Sequence, residues 1–204
     1  MRNLRLVFFS VCLAVSAQAS TIFSDGFNSP PVSGPGFTTV TSGTIGPWTV
    51  GLGGVDWISS YWVPAEGDGS VDTAGNAPGS LSTILSTIAG QTYTLSFYLA
   101  GNPDGGSAVK QLNVQVGTVN QVFTFDTTGH SKTSMGWVLE SVSFVASGND
   151  TLTFTSQDTL VTGGPSPYGA VLDGVSVSTA IPEPATYAFA LLGLAGVCLF
   201  RRRR

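Results

Sequence analysis

The side chains able to do chemistry in this chain are few, and most of them are carboxylates. The 204 residues hold one histidine, His130, in Thr128-Gly129-His130-Ser131-Lys132, and two cysteines, Cys12 and Cys198, near the two ends. Zinc and cysteine-nucleophile chemistry need more His and Cys than residues 20–179 contain. A Ser-His-Asp system would have to use His130, and no G-x-S-x-G elbow is present to present a serine. Glycoside hydrolysis needs two suitably separated carboxylates. Asp56, Glu66, Asp68 and Asp72 lie near one another in sequence, but nothing in their spacing marks an acid and a base. The chain therefore reads as a non-enzyme.

A different chemistry is offered by Val55-Asp56-Trp57-Ile58-Ser59-Ser60-Tyr61-Trp62. Aromatic rings present flat apolar surfaces with a polar edge, which suit the C–H faces of sugar rings. Asp56, Glu66 and Asp72 would accept hydrogen bonds from hydroxyls. If Trp57–Trp62 is extended, Trp57 and Tyr61 project from one face and Trp62 from the other, so at least one ring meets solvent. The expectation is a weak carbohydrate groove lined by Trp57, Tyr61 and Trp62, with Asp56, Glu66 and Asp72 beside them. The competing expectation is that the rings fill the core.

The elements that must position these groups are strands. Tyr93, Leu95, Phe97 and Leu99 alternate with polar residues, as do Leu112, Val114 and Val116, and Phe123 and Phe125 flank Thr124. Val138, Val142 and Phe144 share one parity; Leu152 and Phe154 alternate with threonines; Val171, Asp173, Val175 and Val177 close the series. This period of two marks half-buried antiparallel strands. Gly101-Asn102-Pro103-Asp104-Gly105-Gly106, Thr128-Gly129 and Gly163-Gly164-Pro165 are turn chemistry between them. Leu81, Ile84, Leu85 and Ile88 also fit a helical template, but Ser and Thr fill the gaps. Leu81, Thr83, Leu85 and Thr87 make an equally good strand face, and the strand is expected. The fold class is all-β, an antiparallel sandwich or jelly roll. Residues 20–179 contain no cysteine, so apolar burial and the backbone ladder must hold the fold.

Charge separates this domain from its ends. The chain has 8 Lys and Arg against 12 Asp and Glu, a formal net charge of −4. Six of the eight cations lie at the ends, which leaves residues 20–179 with two Lys, no Arg and eleven acids, or 2 − 11 = −9. Phosphate backbones are bound by clustered cations, so nucleic acid is excluded as a partner. Residues 1–19 read as a signal peptide: Arg2 and Arg5, an apolar run Leu6–Val15, then Ala17-Gln18-Ala19 before Ser20. Residues 180–204 hold Pro182-Glu183-Pro184, the uncharged stretch Ala185–Phe200, and Arg201, Arg202, Arg203 and Arg204. An apolar stretch ended by arginines reads as an inner-membrane anchor with its arginines in the cytoplasm.

This tail resembles the PEP-CTERM sorting signal of Gram-negative bacteria. The resemblance implies export and an inner-membrane-anchored precursor. An exosortase then processes the chain near Pro-Glu-Pro and releases it to the cell surface or extracellular matrix. Residues 21–178 resemble the bacterial choice-of-anchor C domain, which is similar to a plant cell-wall family with galactose-binding-like jelly rolls. The resemblance is carried by Val55–Trp62, Gly69-Ser70-Val71-Asp72, Gly75–Gly79, Gln91–Thr94, Ala100–Gly106, Lys110, Phe125–Gly129 and Met135-Gly136-Trp137. Many galactose-binding-like jelly rolls carry a structural calcium between first and last strands. The resemblance implies one here on Asp25, in Ser24-Asp25-Gly26-Phe27-Asn28, and Asp173, in Leu172-Asp173-Gly174-Val175. Two functions are expected from these readings: a carbohydrate- or exopolysaccharide-binding module, or a structural surface and biofilm protein without a ligand. Exposure of Trp57, Tyr61 and Trp62 separates them.

Overall fold

The computed structural model of the protein describes residues 18–28, 36–159 and 162–180. Of the expected signal peptide, 1–19, residues 1–17 lie outside the described residues, as does the sorting segment from residue 181 with Pro182, Glu183, Pro184 and Arg201–Arg204. The β domain runs from Ser20 to Ala180. Among the described residues no helix is long and apolar enough to cross a membrane.

The described strands are β1 (Thr21–Asp25), β2 (Phe37–Val40), β3 (Gly43–Ile45), β4 (Trp48–Leu52), β5 (Val55–Ile58), β6 (Ser70–Asp72), β7 (Gly79–Ile84), β8 (Thr92–Gly101), β9 (Val109–Val116), β10 (Val119–Asp126), β11 (Val138–Val145), β12 (Thr151–Ser156) and β13 (Ala170–Thr179). They form two antiparallel sheets. The larger runs β11-β8-β13-β6-β5-β2, with β1 also paired to β13; the smaller runs β10-β9-β12-β7-β4-β3. The all-β class read from the period-two pattern is what the described residues adopt.

Alternation decides which side chains lie between the sheets. Phe97 of β8 meets Phe123 of β10 and Phe154 of β12, with ring centroids 5.2 and 5.3 Å apart, so its face of the larger sheet is the inner one. Leu95 and Leu99 share that parity. Leu99 sits opposite Leu172, Leu172 opposite Val71, and Val71 opposite Trp57. The residues between these therefore point outward: Phe37, Thr39, Asp56, Ile58, Ser70, Asp72, Val171 and Asp173.

Two local expectations meet the structure differently. Gly79–Ile84 is a strand; Leu81, Thr83, Leu85 and Thr87 are buried, while Ile84 and Ile88 are 72% and 61% exposed. The β period wins there because the neighbours β4 and β12 supply ladder partners on both sides. The alternation of Val171 through Val177, by contrast, is interrupted. Asp173 opposes Tyr98 but Ser176 opposes Ser96, so β13 carries an extra residue. Gly174 at this bulge has φ +51°, a conformation disfavoured for residues with a Cβ. Hence Val171 and Asp173 face outward, whereas Val177, opposite Leu95, faces in.

Candidate functional site

The site is made where β5 stops. Ser59 and Ser60 bend away, and their amides donate to the Gly36 carbonyl at 2.8 and 3.2 Å. The chain then crosses the outer face of the larger sheet. Its far end is fastened by the outward carboxylate of Asp173, whose Oδ2 accepts the amides of Ala65 and Glu66 at 2.8 and 2.9 Å. This crossing lays the Trp62 indole on the sheet, where its N–H donates to Ser70 Oγ at 2.9 Å and only 4% of the residue stays exposed. Tyr61 stays half-buried at the rim, its ring 5.1 Å from Phe37 and 5.4 Å from Trp62.

Between this crossing, the edge of the sheet and two loops lies a cleft of about 290 Å³. Its walls include Phe37 and Thr39 of β2, Asp56 and Ile58 of β5, Tyr61, Trp62, Asn102, Asp104 and Tyr168. The Tyr61 hydroxyl donates to Asp104 Oδ2 at 2.5 Å, and Lys132 Nζ pairs with the same oxygen at 2.8 Å. Lys132 Nζ also sits 3.7 Å from the Tyr61 ring centroid, a cation–π contact. Thr39 Oγ1 donates to Asp56 at 2.5 Å. Both loops hang on one buried cation. Lys110 Nζ donates to the Gly105 carbonyl at 2.5 Å and to the Tyr168 carbonyl at 3.0 Å.

The electrostatics follow from burial. Asp56 is held above the usual carboxylate range by burial, with the Thr39 hydrogen bond pulling back. Beside it on β6 is Asp72, fully buried and directly opposite in the ladder. Burial pushes Asp72 up to about 8, against the pull of hydrogen bonds from Asn102 and Ala74. Its Oδ1 accepts Ala74 and Gly169 amides at 2.9 and 3.0 Å, and its Oδ2 accepts Asn102 Nδ2 at 2.7 Å. Asp72 thus organises the cleft floor and cannot touch a ligand. Burial likewise lowers Lys110, while Asp158 and Asp72 pull it back up.

The six expected groove residues are therefore divided. Asp56, Tyr61 and Trp62 line the cleft, and Asp72 lies beneath it. Trp57 is on the opposite, inner face, its indole N–H donating to the Phe27 carbonyl at 2.8 Å. Glu66 lies away from the cleft, against Gly26 and Gly174, where an added Cβ would come within 3.2 and 3.0 Å of its Oε1. The expected extended run from Trp57 to Trp62 is corrected: the strand ends at Ile58, so Trp57 and Tyr61 do not share a face. Sequence reading passed over Asn102 and Asp104, which it took only as turn residues, and Phe37, Tyr168 and Lys132. A signal existed for the first two. In Asn-Pro-Asp-Gly-Gly the Asn102 side chain accepts the Asp104 amide at 2.9 Å, an Asx turn that places Asp104 at the rim.

Asp25 opposes Val175 in the β1–β13 ladder and shares the inner face with Val177, whereas Asp173, before the bulge, faces outward, so the two carboxylates lie on opposite faces of the larger sheet. Asp25 accepts the Phe27 amide at 3.1 Å and the Trp48 indole N–H at 2.6 Å. Asp173 accepts the Gly174 amide at 2.7 Å besides the two amides above, and burial raises it to about 6 with Glu66 adding repulsion. Calcium takes six to eight oxygens. Every oxygen of this pair already takes an N–H, so an ion would have to use their remaining lone pairs. Among the described residues no three His, Cys, Asp or Glu side chains converge as a metal site.

A family model described as "Protein of unknown function (DUF642)" matches residues 22–178, and the PEP-CTERM protein-sorting motif matches residues 180–204. Halomucin of Haloquadratum walsbyi is 29% identical over 138 residues, 67% of this chain; the chain spans about 1% of that relative's length. Among solved structures, a Stig cyclase from Fischerella sp. TAU superposes with a TM-score of 0.51 at 14% identity, over 81% of this chain and 100% of that one. The CBM22-1 xylan-binding domain of Paenibacillus barcinonensis Xyn10C gives 0.47 at 16% identity, over 83% and 100%. At such identity the likeness to the cyclase shows the fold alone.

Proposed function

The chain belongs to the DUF642 family, and from that premise we propose that it is an exported, exosortase-sorted surface or matrix protein whose β-sandwich binds carbohydrate in the outer-face cleft. The observation that carries this reading is the composition of the cleft. Half-buried Tyr61, Phe37 and Tyr168 offer apolar surface, and Asp56 and Asp104 offer acceptors within reach of the same ligand. Clefts of a few hundred Å³ with a few placed polar groups are the usual form of a small-ligand site. The PEP-CTERM motif supports a destination at the cell surface or matrix. The role we propose is binding: Asp72, opposite Asp56 in the ladder, is sealed below the floor, and no feature of the cleft points to a reaction. Screening the purified protein against polysaccharide from the cells that make it tests the reading, and absence of any retention removes it. A structural role without a ligand is favoured by one observation: Trp57 and Trp62 both spend their indole N–H groups internally.

The proposed sorting has its own test. The surface form should lack Ala185–Arg204, and intact-mass analysis of protein stripped from cells reads this directly. A surface form still ending at Arg204 contradicts processing by an exosortase. The calcium proposal on Asp25 and Asp173 is tested by chelation. An ion bound only to the folded state raises stability by mass action, so chelator should lower the melting temperature; an unchanged melting curve assigns both carboxylates to their N–H donors alone.

A further inference from the structure

Residues 20–179 contain no arginine and two lysines, and both lysines are engaged. Lys110 is buried and gives its protons to the Gly105 and Tyr168 carbonyls. Lys132 is held by Asp104 and lies over the Tyr61 ring. The charged side chains that line the cleft are Asp56 and Asp104. A carboxylate or sulfate on a glycan is ordinarily met by an arginine fork or a lysine. Here it would meet two carboxylates and a lysine already neutralised. The −9 charge of the domain adds a repulsion that salt screens. Hydroxyl groups face no such difficulty, because both carboxylates accept from them.

Resting on the carbohydrate reading above, we infer that the cleft selects uncharged glycan segments and turns away uronate-bearing or sulfated ones. Asp104 is the residue that sets this selection. It holds Lys132 in an ion pair and so occupies the nearby cation, which leaves Asp56 as the cleft charge that an anion meets. Discrimination comes as much from the repulsive element as from the contacts with the favoured ligand.

Affinity electrophoresis of the full chain in detergent tests this, with xylan and galactan as uncharged probes and polygalacturonate and alginate as uronate probes, at low salt with chelator. An uncharged probe should retard the protein at least about tenfold more strongly than either uronate, a gap of about 1.4 kcal/mol. Asp104→Asn should gain retention on polygalacturonate at low salt and lose that gain at high salt. Tyr61→Ala and Asp56→Asn should each weaken retention on the uncharged probe. Equal or stronger retention on uronates, abolished by Tyr61→Ala, would overturn the selectivity while leaving the carbohydrate reading intact. Uronate retention that appears only on adding calcium would overturn it equally. Retention on xylan or galactan that neither cleft variant reduces would remove the cleft as the selective site. Retention on no probe, including the cells' own polysaccharide, would overturn the carbohydrate reading and the selectivity together.

Discussion

Two neighbouring rings, Tyr61 and Trp62, play different parts although the sequence presents them as one aromatic pair. Trp62 is core: it is 4% exposed and its indole N–H is satisfied by Ser70. Trp62→Ala should therefore cost about 3–5 kcal/mol, as large buried truncations do. A urea titration decides, and a cost below about 1 kcal/mol would contradict the burial. Asp72 carries a second consequence at this scale. Its carboxyl is raised from 3.8 to about 8, and that of Asp173 to about 6, so between these values the folded state binds more protons than the unfolded one. Stability contributed by these groups is then greatest below about pH 4 and is lost as pH rises through about 6 and 8. The urea midpoint should fall from about pH 5 to about pH 8, and Asp72→Asn should flatten that fall. A midpoint rising over this range would contradict the assignment.

The cleft depends on its loops more than on any strand. Lys110 joins Gly105 and Tyr168, and so ties the loop of Asn102 and Asp104 to the loop of Tyr168. Lys110→Met keeps the bulk but leaves two carbonyls without their donor, at about 1–3 kcal/mol each, while relieving a buried charge. Net stability is therefore a poor readout. Amide hydrogen exchange is a good one: protection should drop at 102–106 and 166–169 and hold in β8 and β13. Unchanged protection in those loops would show that they keep their shape without the lysine. The strands themselves were legible because side chains buried on one face alternate, as Leu95, Phe97 and Leu99 do. The cleft was half legible. Asp56 and Tyr61 were reachable from the aromatic cluster, but Phe37, Asn102, Asp104 and Tyr168 come together only through sheet order. The bulge at Gly174 and the bend at Ser59-Ser60 were missed for one reason: a single residue that leaves the extended conformation reverses every later side chain.

The whole molecule carries a sorting motif, a sandwich without cysteine, and a cleft on the outer face of the larger sheet. The smaller sheet turns Thr49, Ser82, Thr153 and Asn113 outward, so the aromatic cleft is a local feature of one face. The central claim is that this cleft holds carbohydrate through Tyr61. The most direct measurement compares wild type and Tyr61→Ala by affinity electrophoresis through gels containing soluble polysaccharide from the producing cells, after matched melting curves. Wild type should be retarded and Tyr61→Ala should migrate as in a blank gel. Equal retardation of the two proteins, or none of either, would contradict the account.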